Sequence, residues 1–191
     1  CEKLLKRKRI IFRVIGNDQV GMGHIYRALS LAHEITDHEV LFVSDTDNSL
    51  AVKELTGYDY WLGLYSPDEV IEKIVKLRPD LVVNDSLDTK ESEVMALKES
   101  NIRVLSFEDL GPGAMYADLT INELYEIPQI EGDQILWGHR YFFVRDEFAD
   151  ATPCEFKETG DSVLLTFGGI DRNNMTKRIL FSINEACAIR N

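Results

Sequence analysis

The sequence is poor in the residues that several common partners require. Its three cysteines, Cys1, Cys154 and Cys187, are spread over 191 residues with no CxxC pair and no histidine at zinc-ligand spacing. That excludes a disulfide framework and a cysteine-built metal centre, and it suits a reducing, cytoplasmic compartment. No apolar run approaches the roughly 20 residues of a membrane span, and no signal-peptide pattern is present. Cations are scarce: 21 Lys and Arg stand against 33 Asp and Glu, for a net charge of −12. Neither a nucleic acid nor an anionic membrane is expected as a partner, because binding phosphates needs clustered positive charge. The one basic cluster, KLLKRKR at residues 3–9, reads as part of a solvated leader or linker over 1–9. With Cys rather than Met at position 1, the chain reads as a piece of a longer polypeptide, with room for a fused upstream or downstream domain. Internal repeats and low-complexity tracts are absent.

What is present is a regular alternation. Apolar runs of strand length (RIIFRVI, HEVLFVS, YDYWLGL, DLVVND, IRVLSF, DLTIN) are interleaved with helical patterns. That is the pattern of an α/β fold, a Rossmann-like parallel sheet with helices on both faces. In the first helix Ile25, Ala28, Leu29, Ala32 and Ile35 form the inward stripe, leaving Arg27, Ser30 and Glu34 on the other faces. A later helix is expected to start with Ser66 as N-cap and Pro67 at its first position and to stop before Pro79, and another falls within residues 88–100. The main domain is placed at 10–146 and a polar linker at 147–160. From 161 to 191 the opening theme of buried strand, glycine turn and helix restarts, as the beginning of a second nucleotide-binding domain.

The stretch QVGMGHIYRALSLAHEI, residues 19–35, carries the most chemistry. Ligands of an open parallel sheet bind beyond the carboxyl ends of its strands. Gly21 and Gly23 would let backbone amides approach an anion at the start of a helix, where the helix dipole adds positive potential. His24 is placed to act as a general base near neutral pH, although a capping histidine has the same position. Arg27 is one turn further on, suited to a phosphate or carboxylate, or to a surface ion pair with Glu34 or Glu123. Other candidates collect at strand ends: Asn84, Asp85 and Ser86, then Glu108 and Asp109, then Asn122. Each is also an ordinary strand stop or cap, but together they ring one crevice.

Five segments, GMGHIYRALSLA, VVNDSLD, ADLTIN, WGHRYFFVRDEF and LLTFGGIDRNNMT, occur in an order and spacing that resembles the UDP-sugar hydrolases of the pseudaminic-acid pathway and related spore-coat polysaccharide biosynthesis proteins. The resemblance runs from residue 10 to about 180. It implies the N-terminal half of a glycosyltransferase-B-like architecture, with the sugar on this half and the nucleotide mainly on the other. It also implies hydrolysis of a UDP-linked diacetamido-trideoxy sugar without metal or cofactor. His24 matches the catalytic histidine, and Gly21, Gly23 and Arg27 match the loop and helix start around it. Gly168 and Gly169 match a second glycine turn facing the diphosphate. Arg13, Asp85, Ser86, Asp109 and Asn122 are grouped with the substrate-binding residues. The chain departs from the pattern at Leu87 (usually Tyr), Ile15 (usually Asp), Glu108 (usually Asp) and His139 (often Pro). The first two departures remove polar groups from the sugar region. Two other functions share the fold: a non-hydrolytic sugar-nucleotide-binding domain fused to a cytidylyltransferase, and a glycosyltransferase with a sugar acceptor.

Overall fold

A computed structural model describes residues 6–17, 20–144, 148, 150–156, 158–159, 162–167, 171 and 173–188. The chain divides into two compact units, 1–149 and 150–191.

The first unit is built on one seven-stranded sheet, all of whose neighbouring strands run parallel. The strands are β1 (Arg9–Val14), β2 (Glu39–Asp45), β3 (Trp61–Tyr65), β4 (Leu81–Asp85), β5 (Arg103–Phe107), β6 (Leu119–Asn122) and β7 (Ile135–Trp137). Their order across the sheet is β3-β2-β1-β4-β5-β6-β7. The helices are α1 (Gly23–Glu34), α2 (Ser49–Leu55), α3 (Val70–Leu77) and α4 (Glu91–Glu99). Strand β1 shows why the fold is layered: Ile10, Phe12 and Val14 point into one core with Ile25, Ala28 and Leu29 of α1, while Ile11 points into a second core with Ile74 of α3 and Val94 of α4. Both faces are therefore apolar, as a buried parallel strand requires. The Phe12 and Phe42 rings stack at 5.4 Å in the first core, and fully burying each such side chain stabilises by about 1.5–3 kcal/mol.

The expected elements form, with shifted ends. The turn at Ser66 precedes α3 rather than opening it: the Ser66 carbonyl accepts the N–H groups of Glu69 and Val70, and the helix begins at Val70. At its far end Arg78 takes a left-handed conformation (φ 52°) just before Pro79, which cannot continue a helix. Strand β7 was not foreseen; its three residues are too few to show an alternation.

In the second unit, α5 (Met175–Ala188) forms. The Asp171 carboxylate starts it by accepting the N–H groups of Met175 and Thr176, each at 2.8 Å. The strand expected just before it does not form over residues 162–166, where Val163 is 72% and Leu164 86% exposed. Phe167 at the end of that stretch makes an isolated bridge, but a single bridge is no ladder, and a strand without a paired neighbour along its length has little stability. Among the described residues no helix is long and apolar enough to cross a membrane.

Candidate functional site

The connections from β1 run to α1 and towards one edge of the sheet, and those from β4 run towards the other, so the crevice opens where the direction reverses, between β1 and β4. The loop leaving β1 is braced from the turn between β2 and α2: Asn48 Oδ1 accepts the Gly16 N–H and the Asn17 side-chain amide, both at 3.1 Å. Gly21 then turns the chain with φ 77°, a conformation that side chains seldom adopt. A Cβ added at Gly21 or Gly23 would meet nothing within 4 Å, so open space faces both glycines. The first turn of α1 has no side-chain cap, and among the described residues no acceptor takes the N–H of Gly23 or His24.

His24 is half-buried, and its Nδ1–H donates to Asp85 Oδ1 at 2.6 Å. Asp85, at the end of β4, is fully buried. Arg27 grips the same carboxylate with two prongs, Nε to Oδ2 at 2.8 Å and Nη2 to Oδ1 at 2.6 Å. Its third prong, Nη1, donates to Glu123 Oε1 at 2.6 Å, and its guanidinium carbon lies 4.8 Å from the centre of the Phe107 ring. Burial by itself would lower the pKa of Arg27, but the bonds to Asp85 and Glu123 raise it further than burial lowers it. The expected placing of Arg27 on an outer face of α1 is thus corrected. The first turn of the helix overhangs the strand ends, and two carboxylates there offset the desolvation of the guanidinium.

The other candidates separate. Arg13 does not join His24: it lies on the opposite sheet face, where its Nη1 donates to Glu93 of α4 at 2.6 Å. By strand register Arg13, Asn84, Ser106 and Thr120 form a polar row across β1, β4, β5 and β6 on that face. Asp109 holds neighbouring loops together, accepting from Thr89 N (3.0 Å), Thr89 Oγ1 (2.6 Å) and Gly111 N (2.9 Å). Burial raises its pKa against those bonds. Asn122 accepts from the Asp109 N–H and donates to the Asp109 carbonyl. Ser86 is half-buried beside Asp85, and Gly168 and Gly169 lie outside the described residues. Glu108 is buried in a left-handed conformation (φ 51°), with Oε1 accepting from Glu123 N and Leu124 N while Oε2 has no partner. Burial raises its pKa. Among the described residues no group of three or more His, Cys, Asp and Glu could hold a metal ion.

Chemically, this arrangement fixes one tautomer of an imidazole. With Nδ1–H committed to Asp85, Nε2 is left as the acceptor. The Arg27–Glu123 pair named from the sequence forms, but buried rather than on the surface; Asn48 and Phe107 were missed, because nothing local in the sequence shows which distant loop or strand end they meet.

No family model matches the chain. An uncharacterised protein of Methanocaldococcus jannaschii is 27% identical over 183 residues, covering 86% of this chain and 37% of that protein. The UDP-2,4-diacetamido-2,4,6-trideoxy-beta-L-altropyranose hydrolase of Campylobacter jejuni is 26% identical over 178 residues, covering 90% of this chain and 64% of that protein. The chain is therefore a distant homologue of this hydrolase and spans less than two thirds of either relative's length.

Proposed function

We propose that this chain supplies the sugar-binding and catalytic part of a nucleotide-sugar hydrolase that releases UDP from a diacetamido-trideoxy sugar in surface-polysaccharide or nonulosonic-acid biosynthesis. The observation that carries this reading is the His24–Asp85–Arg27 relay, a half-buried imidazole on a buried ion pair, at the switch point of the sheet. Homology to a UDP-sugar hydrolase over nine tenths of the chain supports it. The exposed free thiol of Cys154 suits a cytoplasmic setting.

In this reading His24 Nε2 takes a proton from water as the water oxygen bonds to the anomeric carbon. The bond from that carbon to the phosphate oxygen breaks, and its electron pair leaves with UDP. Asp85 holds the imidazole in the tautomer the step needs and stabilises the imidazolium that forms, while Arg27 fixes Asp85. The open start of α1, where among the described residues no acceptor takes the N–H groups of Gly23 and His24 and where space lies before Gly21 and Gly23, offers an anionic or hydroxyl group of the substrate a place to bind.

A second reading, binding without turnover, rests on Leu87. This half-buried apolar residue (φ 61°) stands in the loop after Asp85, where the resemblance places a tyrosine. The test is to incubate the whole polypeptide carrying this sequence with UDP-linked diacetamido sugars in ¹⁸O-water. UDP release with the label on the sugar supports hydrolysis at the anomeric carbon. Saturable binding without release supports the second reading, and release only after a sugar acceptor is added makes the protein a transferase.

A further inference from the structure

The segment after β7 belongs to the WGHRYFFVRDEF stretch, which the proposed reaction leaves without a role. Residues 138–143 form a strap that begins at Gly138 (φ 95°) and passes through a 3-10 turn at His139–Tyr141. Four bonds to three anchor residues pin the strap to the end of β6 and the turn after it: Gly138 N–H to the Asn122 carbonyl (3.2 Å), His139 N–H (3.0 Å) and the His139 ring Nδ1–H to Glu126 Oε1, and Phe143 N–H to Glu123 Oε2 (3.0 Å). The three anchors are not equivalent. Glu126 is exposed, whereas Glu123 is buried and its other oxygen holds Arg27 at 2.6 Å. One carboxylate thus ties the strap to the guanidinium that grips Asp85, and through Asp85 to His24.

We propose that Glu123 is a positioning residue for His24, holding the Arg27–Asp85–His24 relay in register with the strap at residues 138–143. The guanidinium is planar and its donors are fixed relative to one another. With Nη1 set by Glu123, the two prongs on Asp85 are aimed, and Asp85 in turn sets the imidazole ring. With Glu123 neutralised, Arg27 loses one of its two anions, and its grip on Asp85 is no longer fixed from the far side. Groups that orient a functional side chain in this indirect way typically account for about 10- to 100-fold in activity.

The experiment compares Glu123→Gln with Glu126→Ala. Glu123→Gln keeps the length of the side chain and an oxygen for the Phe143 N–H, but offers Arg27 no anion. Glu126→Ala cuts only the exposed anchor. The first readout is the proton NMR signal of the His24 ring Nδ1–H, assigned by its loss in His24→Ala. The second is the split between kcat and KM for UDP release. Glu123→Gln should shift or broaden the ring signal and lower kcat about 10- to 100-fold with KM changed less than about threefold, while Glu126→Ala leaves both readouts as they were. If Glu123→Gln does not fold, Glu123→Asp, which keeps the anion but shortens its reach, should change both readouts in the same direction. An unmoved ring signal and unchanged kcat in a folded Glu123 variant would overturn the proposal, as would an equal effect from Glu126→Ala. The kinetic readout rests on the hydrolase reading but the NMR readout does not. Absence of UDP release with a ring signal that responds to Glu123 would therefore remove that reading and leave this one standing.

Discussion

Deleting the Asp85 side chain leaves a guanidinium in a buried site with half its partners gone. Removing one member of a buried pair costs about 3–5 kcal/mol, whereas exposed pairs contribute about 1 kcal/mol or less. Asp85→Ala should therefore lower the urea-unfolding free energy by about 3–5 kcal/mol, and Glu39→Ala, which breaks the half-exposed pair with Arg9, by under about 1 kcal/mol. Equal losses would mean that Arg27 is not held as described. Glu108 offers a test in the other direction. Its pKa is raised in the folded protein, mainly by burial, so the folded state binds this proton more tightly than the unfolded chain does. Its ionisation therefore weakens the fold as pH rises through the folded value, and below the ordinary glutamate value of 4.5 no such cost exists. Glu108→Gln keeps Oε1 for the two N–H groups and replaces the unpartnered Oε2. It should be more stable than wild type at neutral pH, with the gain disappearing on acidification, as followed by urea unfolding at several pH values. At this scale the sequence was only partly legible. His24 and Asp85 could be named from their places after an apolar run, because a strand end beside a helix start is a local pattern. Arg27 and Arg13 could not be told apart in role, because what distinguishes them is which face of the sheet meets which carboxylate.

At the scale of elements, two glycines that each belong to a G-x-G have opposite surroundings. A Cβ at Gly111 would come within 2.5 Å of the Thr89 carbonyl oxygen and 2.7 Å of its nitrogen, where the loops after β4 and β5 are joined by Asp109. Backbone on both sides has no rotamer to yield, so Gly111→Ala should destabilise by about 1–3 kcal/mol. Gly23→Ala meets nothing and should leave the thermal midpoint within about a degree or two, since surface changes of this kind stay within about 0.5 kcal/mol. If the start of α1 receives substrate, the same Gly23→Ala change will raise KM. Differential scanning calorimetry with steady-state kinetics measures both. Element types were legible because the apolar stripes of α1 and β1 repeat over enough residues to define a period. The start of α3 was misplaced because Ser66 accepts through its backbone carbonyl in a turn, which resembles a cap in sequence. Strand β7 was invisible because it exists only through its pairing with β6.

At the scale of the whole molecule, the parallel sheet was legible from the alternation of strand and helix patterns, since parallel strands need crossovers and helices supply them. The order of strands was not, because it depends on which faces the helices cover. The two units should also differ in protection. Strands β1, β2 and β4, none of them at an edge of the sheet, each carry fully buried side chains (Ile11, Phe42, Val82), while α5 leaves Leu180 and Phe181 more than half exposed. Hydrogen exchange of this 191-residue chain should be slowest in β1, β2 and β4 and much faster in α5. Comparable protection in both would show that the second unit is stabilised by more than its own described contacts.

The central claim is that the imidazole held by Asp85 is the base of a sugar-nucleotide hydrolysis. The most direct measurement is UDP release followed by phosphorus NMR, for the whole polypeptide and its His24→Ala variant, with substrate binding measured in parallel. If His24 is the base, release by the variant falls about 10²- to 10⁴-fold while binding persists. Release at the wild-type rate from the variant would contradict that role.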